Sequence, residues 1–184
     1  MTSSALAFVT IALASSAVVR GPQPTSPWTD AGPGRLGVTN APATFTPPAV
    51  PWRATDIDGH AWSGESLRGR VVLVDFWATW CAPCLDELPR LKRLHAREGP
   101  RGLTIIGVSL DRTSPRDFRS WLQRQAITWP QVRESGQYDS PLARAFGVQA
   151  IPASYLFDRD GRLHATSLRG DALETRVTAL VEAR

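Results

Sequence analysis

The chain has 184 residues, 42% of them hydrophobic and 21% charged, which is enough to bury a core without disulfide staples and excludes a wholly disordered or collagen-like polymer. Its formal charge of +4 comes from scattered arginines, with Lys92 the one lysine, so it lacks the dense basic run that nucleic-acid binding requires. There are two cysteines, Cys81 and Cys84, too few for a disulfide scaffold, and zinc finds no second Cys pair.

At the N-terminus, Ala5 to Val19 reads ALAFVTIALASSAVV, apolar or small throughout. A bilayer span needs about 20 residues, so this stretch fits the apolar region of a secretory signal better. Ser15, Ser16 and Ala17 supply small residues for cleavage, whereas Met1 to Ala5 carries no Lys or Arg. Residues 1–20 are expected to be a signal peptide or an N-terminal membrane anchor. The protein is expected to be exported, either periplasmic or otherwise extracytoplasmic. Residues 21–51 carry Pro22, Pro24, Pro27, Pro33, Pro42, Pro47, Pro48 and Pro51 without apolar periodicity, the pattern of an extended linker.

Residues 52–184 read as the folded domain. WRATDIDGHAW, from Trp52, predicts a short hairpin turning at Asp58-Gly59. VVLVDFW, Val71 to Trp77, is a continuous apolar run suited to a strand covered on both faces. A helix is predicted over 82–98, and LTIIGVSL, Leu103 to Leu110, is a second buried strand. Ser114, Pro115 and Asp117 open another helix, with Phe118, Trp121 and Leu122 on one face. A short strand or loop is expected around 128–132, then a brief helix from Ser140-Pro141 to Gly147. Strands 153–158 and 162–168 form a hairpin about Asp160-Gly161. Asp171 and Glu174 predict a capping box for a last helix ending near Ala183. This order predicts an α/β domain whose mixed sheet carries helices on both faces.

Cys81 follows a strand and opens a helix. A thiolate there meets unpaired N–H groups and the positive end of the helix dipole, which lowers a cysteine pKa from about 8.5 to near 7 or below. Cys84, one turn on, faces the same side and is placed to resolve a mixed disulfide at Cys81. Three alternatives compete. A structural disulfide closing so small a loop gains only about 2 kcal/mol on the loop-entropy model. A copper site would need a distant His60, His95 or His164. A peroxidase of the peroxiredoxin type places a Thr three residues before its Cys and a Pro four before that; Ala78 and Val74 stand there.

VDFWATWCAPC resembles the thioredoxin redox motif, and is very similar to the TlpA/ResA-like group of exported thiol-disulfide oxidoreductases. Four separated segments agree in order: Asp56-Ile57-Asp58-Gly59, Leu67-Arg68-Gly69-Arg70, the Cys motif, and Glu87 and Pro89 after it; the second landmark of the resemblance, a proline opposite the Cys pair, is matched by Pro152 in GVQAIPASYLFDRDG. The resemblance implies a thioredoxin fold: a central mixed β-sheet flanked by helices, with an N-terminal β-hairpin extension and a central insertion. It implies a redox disulfide Cys81–Cys84 and a cis Ile151–Pro152 bond that presents the Ile151 backbone to a substrate chain. No cofactor is needed, because the cysteines carry the electrons. The implied partners are disulfide-containing proteins such as apocytochrome c and a membrane thiol electron donor. A reductant is favoured over an oxidant or isomerase, and a copper-handling module is the rival from another class.

Asp75, often Asn in the ResA-like group, is expected to be poorly solvated, with a raised pKa, and to relay a proton to and from Cys84. Glu87 is the other candidate for that task, or a surface acid. Trp80 is expected to shape the substrate face with Pro83 and Ile151, and Trp77 to pack. Relatives usually carry Gly where Ala150 stands and Thr where Ala153 stands. The Arg169-Gly170-Asp171 run reads as a loop into the last helix.

Overall fold

The computed structural model describes residues 52–183. The expected signal or anchor segment and the proline-rich linker lie outside the described residues. No helix among the described residues is long and apolar enough to cross a membrane.

The first two strands, β1 (Arg53–Thr55) and β2 (Ala61–Ser63), form the expected antiparallel hairpin. Asp56 organises its turn: the carboxylate accepts the N–H groups of Asp58 and His60 and the Trp62 indole N–H, each at 2.9 Å. Burial pushes the Asp56 pKa up, but these hydrogen bonds together hold it below the ordinary carboxylate value.

The main sheet has the order β5-β4-β3-β6-β7. Its centre is β3 (Val71–Trp77), parallel to β4 (Leu103–Ser109) and antiparallel to β6 (Ala153–Phe157). The edges are β5 (Gln131–Arg133), parallel to β4, and β7 (Leu163–Thr166), antiparallel to β6. The apolar run of β3 has its reason here, since both its faces are covered. Val72, Val74 and Phe76 pack with Trp52, Leu142 and Phe146. Val71 and Leu73 pack on the opposite side with Leu88, Leu91, Leu173 and Val177.

Those last four residues belong to α1 (Ala82–Glu98) and α4 (Gly170–Glu182). Helix α2 (Pro115–Arg124) begins as expected, with the Ser114 hydroxyl accepting the Asp117 N–H, and buries Phe118 and Leu122. Between α2 and β6 the chain inserts β5, a short 3-10 turn and α3 (Pro141–Ala145), which is capped by Ser140. Strand β7 ends earlier than the sequence predicts, because Ser167 turns into the left-handed region at φ 56°.

The expected capping box at α4 does not form. Arg169 occupies the N-cap and its side chain makes no capping bond. Asp171 and Glu174 instead accept from Arg90 Nη1 at 2.8 and 2.9 Å, and Glu174 also accepts from Arg97 at 2.8 Å. Helix α1 presents its arginines along the facing side of α4, and those charges claim the two carboxylates. Glu87, reaching across from α1, takes the free Gly170 N–H at 3.2 and 3.3 Å.

Gly107 is a fitted gap in β4. A Cβ there would lie 2.4 Å from Gln131 Oε1, and that oxygen accepts the buried Trp77 indole N–H at 3.0 Å. Gly107→Ala is expected to displace the amide and orphan the indole, costing about 1–3 kcal/mol. A urea-unfolding midpoint equal to that of the parent protein would contradict this.

Candidate functional site

Strand β3 ends at Trp77, and a short turn delivers Cys81 to the N-cap of α1. Its backbone is extended there (φ −89°, ψ 95°), with Pro83 in the first helical turn. Both Cys84 and Leu85 donate their N–H groups to the Cys81 carbonyl at 3.0 Å. Cys81 and Cys84 form a disulfide with Cα atoms 5.2 Å apart. The first turn of α1 carries no acidic residue, so nothing there offsets the positive end of the helix dipole beside Cys81.

The turn is pinned from below. Asp111, buried after β4, accepts the Thr79 hydroxyl at 2.6 Å, the Thr79 N–H at 3.0 Å and the Ser109 hydroxyl at 2.8 Å. Beneath the sulfurs, Trp77, Ala78, Phe118 and Leu122 form an apolar floor. Trp77 is thus packing, as expected, and among the described residues Trp80 is the large apolar side chain left outside, at 56% exposure.

Opposite the Cys pair, the Ile151–Pro152 bond is cis. Pairing of Phe76 with Ala153 starts β6 beside the end of β3 and so brings Pro152 to the sulfurs. Ile151 packs against the apolar floor. Cys84 and Pro152 line a narrow cleft together with Asp75, Glu87, Ser154 and Arg169. The five residues Cys81, Cys84, Asp75, Pro152 and Glu87 are therefore brought together. Pro83, between the two cysteines in the chain, is exposed.

Asp75 is the electrostatic centre of that cleft. Burial pushes its carboxyl up from 3.8 to about 7, the Arg169 cation lowers it, and the Glu87 carboxylate raises it. A group with that proton affinity can accept or release a proton at neutral pH. Glu87 is not a free surface acid: it is spent on the Gly170 N–H and lies 3.9 Å from Arg90 Nε.

The histidines lie elsewhere. His60 sits on the hairpin with Asp56, His95 packs on the Trp129 ring, and His164 is near Arg176. Sequence reasoning missed Arg169 and Asp111. Arg169 donates from Nη2 to the Pro152 carbonyl, a contact between residues 17 apart that no local pattern announces. For Asp111 a signal existed, an acid closing a buried strand.

The family model described as AhpC/TSA matches residues 44–166. Thiol-disulfide oxidoreductase ResA of Bacillus anthracis is 29% identical over 109 residues, covering 59% of this chain and 61% of that protein. The chain therefore spans about three fifths of the length of the curated relatives it matches. Among solved structures, the thioredoxin domain of a thiol-disulfide oxidoreductase from Bacteroides vulgatus is 30% identical, with a TM-score of 0.66, covering 74% of this chain and 98% of that one. A thiol:disulfide interchange protein from a Bacteroides species is also 30% identical, with a TM-score of 0.62, covering 71% and 86%. These likenesses bear out the resemblance and the thioredoxin-like fold that the motifs imply. The family match spans both cysteines, Asp75, Glu87 and Pro152, and the chain belongs to the AhpC/TSA family.

Proposed function

We propose that the protein is a thiol-disulfide oxidoreductase that reduces protein disulfides in the cell envelope through a Cys81/Cys84 dithiol. The observation that carries this reading is the Cys81–Cys84 disulfide at the N-terminus of α1, facing a cis Pro152 and sharing a cleft with Asp75.

In the reducing direction the Cys81 thiolate attacks a substrate disulfide. A mixed disulfide forms on Cys81, and the first substrate sulfur leaves as a thiolate that takes up a proton. Cys84 passes its proton to the Asp75 carboxylate and attacks Cys81 Sγ. The Cys81–Cys84 disulfide closes, and the second substrate thiolate leaves and is protonated, with Asp75 the proton source on the protein. Two electrons leave the dithiol and the substrate disulfide becomes two thiols. Trp80, Pro83 and the Ile151 backbone form the rim on which a substrate chain lies.

The reducing direction is supported by likeness to the TlpA/ResA-like group. On that likeness, apocytochrome c is the kind of substrate proposed, with a membrane thiol donor recharging the dithiol. Export is supported by the apolar run from Ala5 to Val19.

Two measurements test this. Equilibration with glutathione is expected to give a potential below about −180 mV; a higher value would overturn the reducing direction. Cys84→Ser is expected to trap a mixed disulfide through Cys81, and isolating the adduct from a cell envelope identifies the substrate. Recovering no adduct there counts against the proposed site of action.

A further inference from the structure

Arg169 belongs to the Arg-Gly-Asp run, which the mechanism above leaves unused. Its guanidinium reaches back over the cleft and donates to the carbonyl of Pro152. The next N–H in the chain, that of Gly170, goes to Glu87 on α1. Consecutive residues at the start of α4 thus hold the cleft from two sides. Arg169 grips the proline loop, and Gly170 is fixed to the helix that carries Cys84. Gly170 adopts φ 56°, a left-handed turn that glycine accepts readily.

Every element around Asp75 contributes a definable group. Helix α1 supplies Cys84 and Glu87, with Arg90 behind Glu87. The start of α4 supplies Arg169. Strand β6 supplies Ser154, whose hydroxyl is turned away to the Leu168 carbonyl at 2.9 Å. Strand β4 places Gly107, without a side chain, opposite Asp75. Arg169 is therefore the cation acting on Asp75, and Glu87 the anion opposing it.

A proton acceptor must be charged before it accepts. A carboxylate in a poorly solvated cleft holds that charge only if a cation is near, since desolvation favours the neutral acid. We propose that Arg169 is a positioning residue for disulfide exchange: it fixes the Pro152 loop and serves as the counter-charge that keeps Asp75 competent to take the Cys84 proton. This rests on the reading of Asp75 as proton acceptor. A surface arginine that only satisfied one carbonyl would leave the titration of Asp75 unchanged when it is replaced.

The test follows the carbon-13 carboxyl resonance of Asp75 through a pH titration of the full chain. In Arg169→Gln the inflection is expected to move to higher pH, and in Arg169→Lys, which retains the charge, to return toward the parent value. In Glu87→Gln it is expected to move to lower pH. The acid limb of the pH-rate profile for the resolving step, read as closure of the Cys81–Cys84 disulfide after rapid mixing of the reduced protein with an excess of a small disulfide, should follow the resonance to higher pH in Arg169→Gln. An unmoved resonance in Arg169→Gln overturns the proposal, whatever happens to melting temperature. A moved resonance with an unmoved rate profile overturns the positioning role, and it locates the failure in the assignment of Asp75 as acceptor. Both moving together supports it.

Discussion

Cys81→Ser is expected to lower the rate of disulfide reduction on the order of 10³-fold or more, to the level of uncatalysed thiol exchange. A serine oxygen cannot form the mixed disulfide, and its hydroxyl is a far weaker nucleophile at neutral pH than a thiolate at a helix N-terminus. The loss must be shown to be chemical rather than structural. Closing the small Cys81–Cys84 loop is worth about 2 kcal/mol at most on the loop-entropy model. Reduced parent protein is therefore the proper reference, and against it Cys81→Ser should unfold within about 1 kcal/mol. Activity lost at matched stability assigns the nucleophile. Activity retained in Cys81→Ser but lost in Cys84→Ser would reverse the roles of the two sulfurs.

Asp111 bears on the competing peroxidase reading. Position 78 is an alanine, where the peroxiredoxin pattern wants a threonine hydroxyl facing its cysteine. The neighbouring hydroxyl, that of Thr79, lies 2.6 Å from Asp111. It fastens the turn under Cys81 and is not free to polarise a peroxide.

Strand β3, helix α1 and the Cys pair at their junction were legible because each is written in contiguous residues. A run of apolar residues covered on both faces, a Pro in the first helical turn and an uncapped helix start are all local signals. Pro152 was legible only through resemblance, since its partner across the site is some seventy positions away in sequence. The capping box at Asp171 and Glu174 failed for the opposite reason. Its local spacing was right, but the helix starts at Gly170 with Arg169 as its N-cap, which puts Asp171 inside the first turn, and Arg90 and Arg97 on α1 take the two carboxylates. Helix spacing alone leaves Glu87 open between a proton relay and a surface acid. Its work, holding Gly170 while raising the proton affinity of Asp75, exists only once α4 packs on α1.

Asp75→Asn is expected to stabilise the oxidised protein and slow it at the same time. In the folded chain the Asp75 carboxyl titrates at about 7 instead of 3.8, burial being the main cause. Between those two values the unfolded chain has lost a proton that the folded chain still holds, so folding stability falls as pH rises. The favourable contribution is complete below 3.8 and gone once pH passes about 7. The full difference is about 4 kcal/mol, an order-of-magnitude figure. Asparagine carries no proton to lose, so the variant should be the more stable at pH 8 by roughly that amount. The gap should close as pH is lowered toward 4. Groups titrating elsewhere cancel in the comparison, which makes urea unfolding of the two proteins at the two pH values a direct reading of Asp75. The rate of Cys84 attack should fall by about 10²–10⁴-fold at neutral pH, the usual contribution of a positioned acid or base. A stability difference independent of pH would mean that Asp75 is an ordinary solvated carboxylate, and the proton path to Cys84 would then have to be sought elsewhere in the cleft.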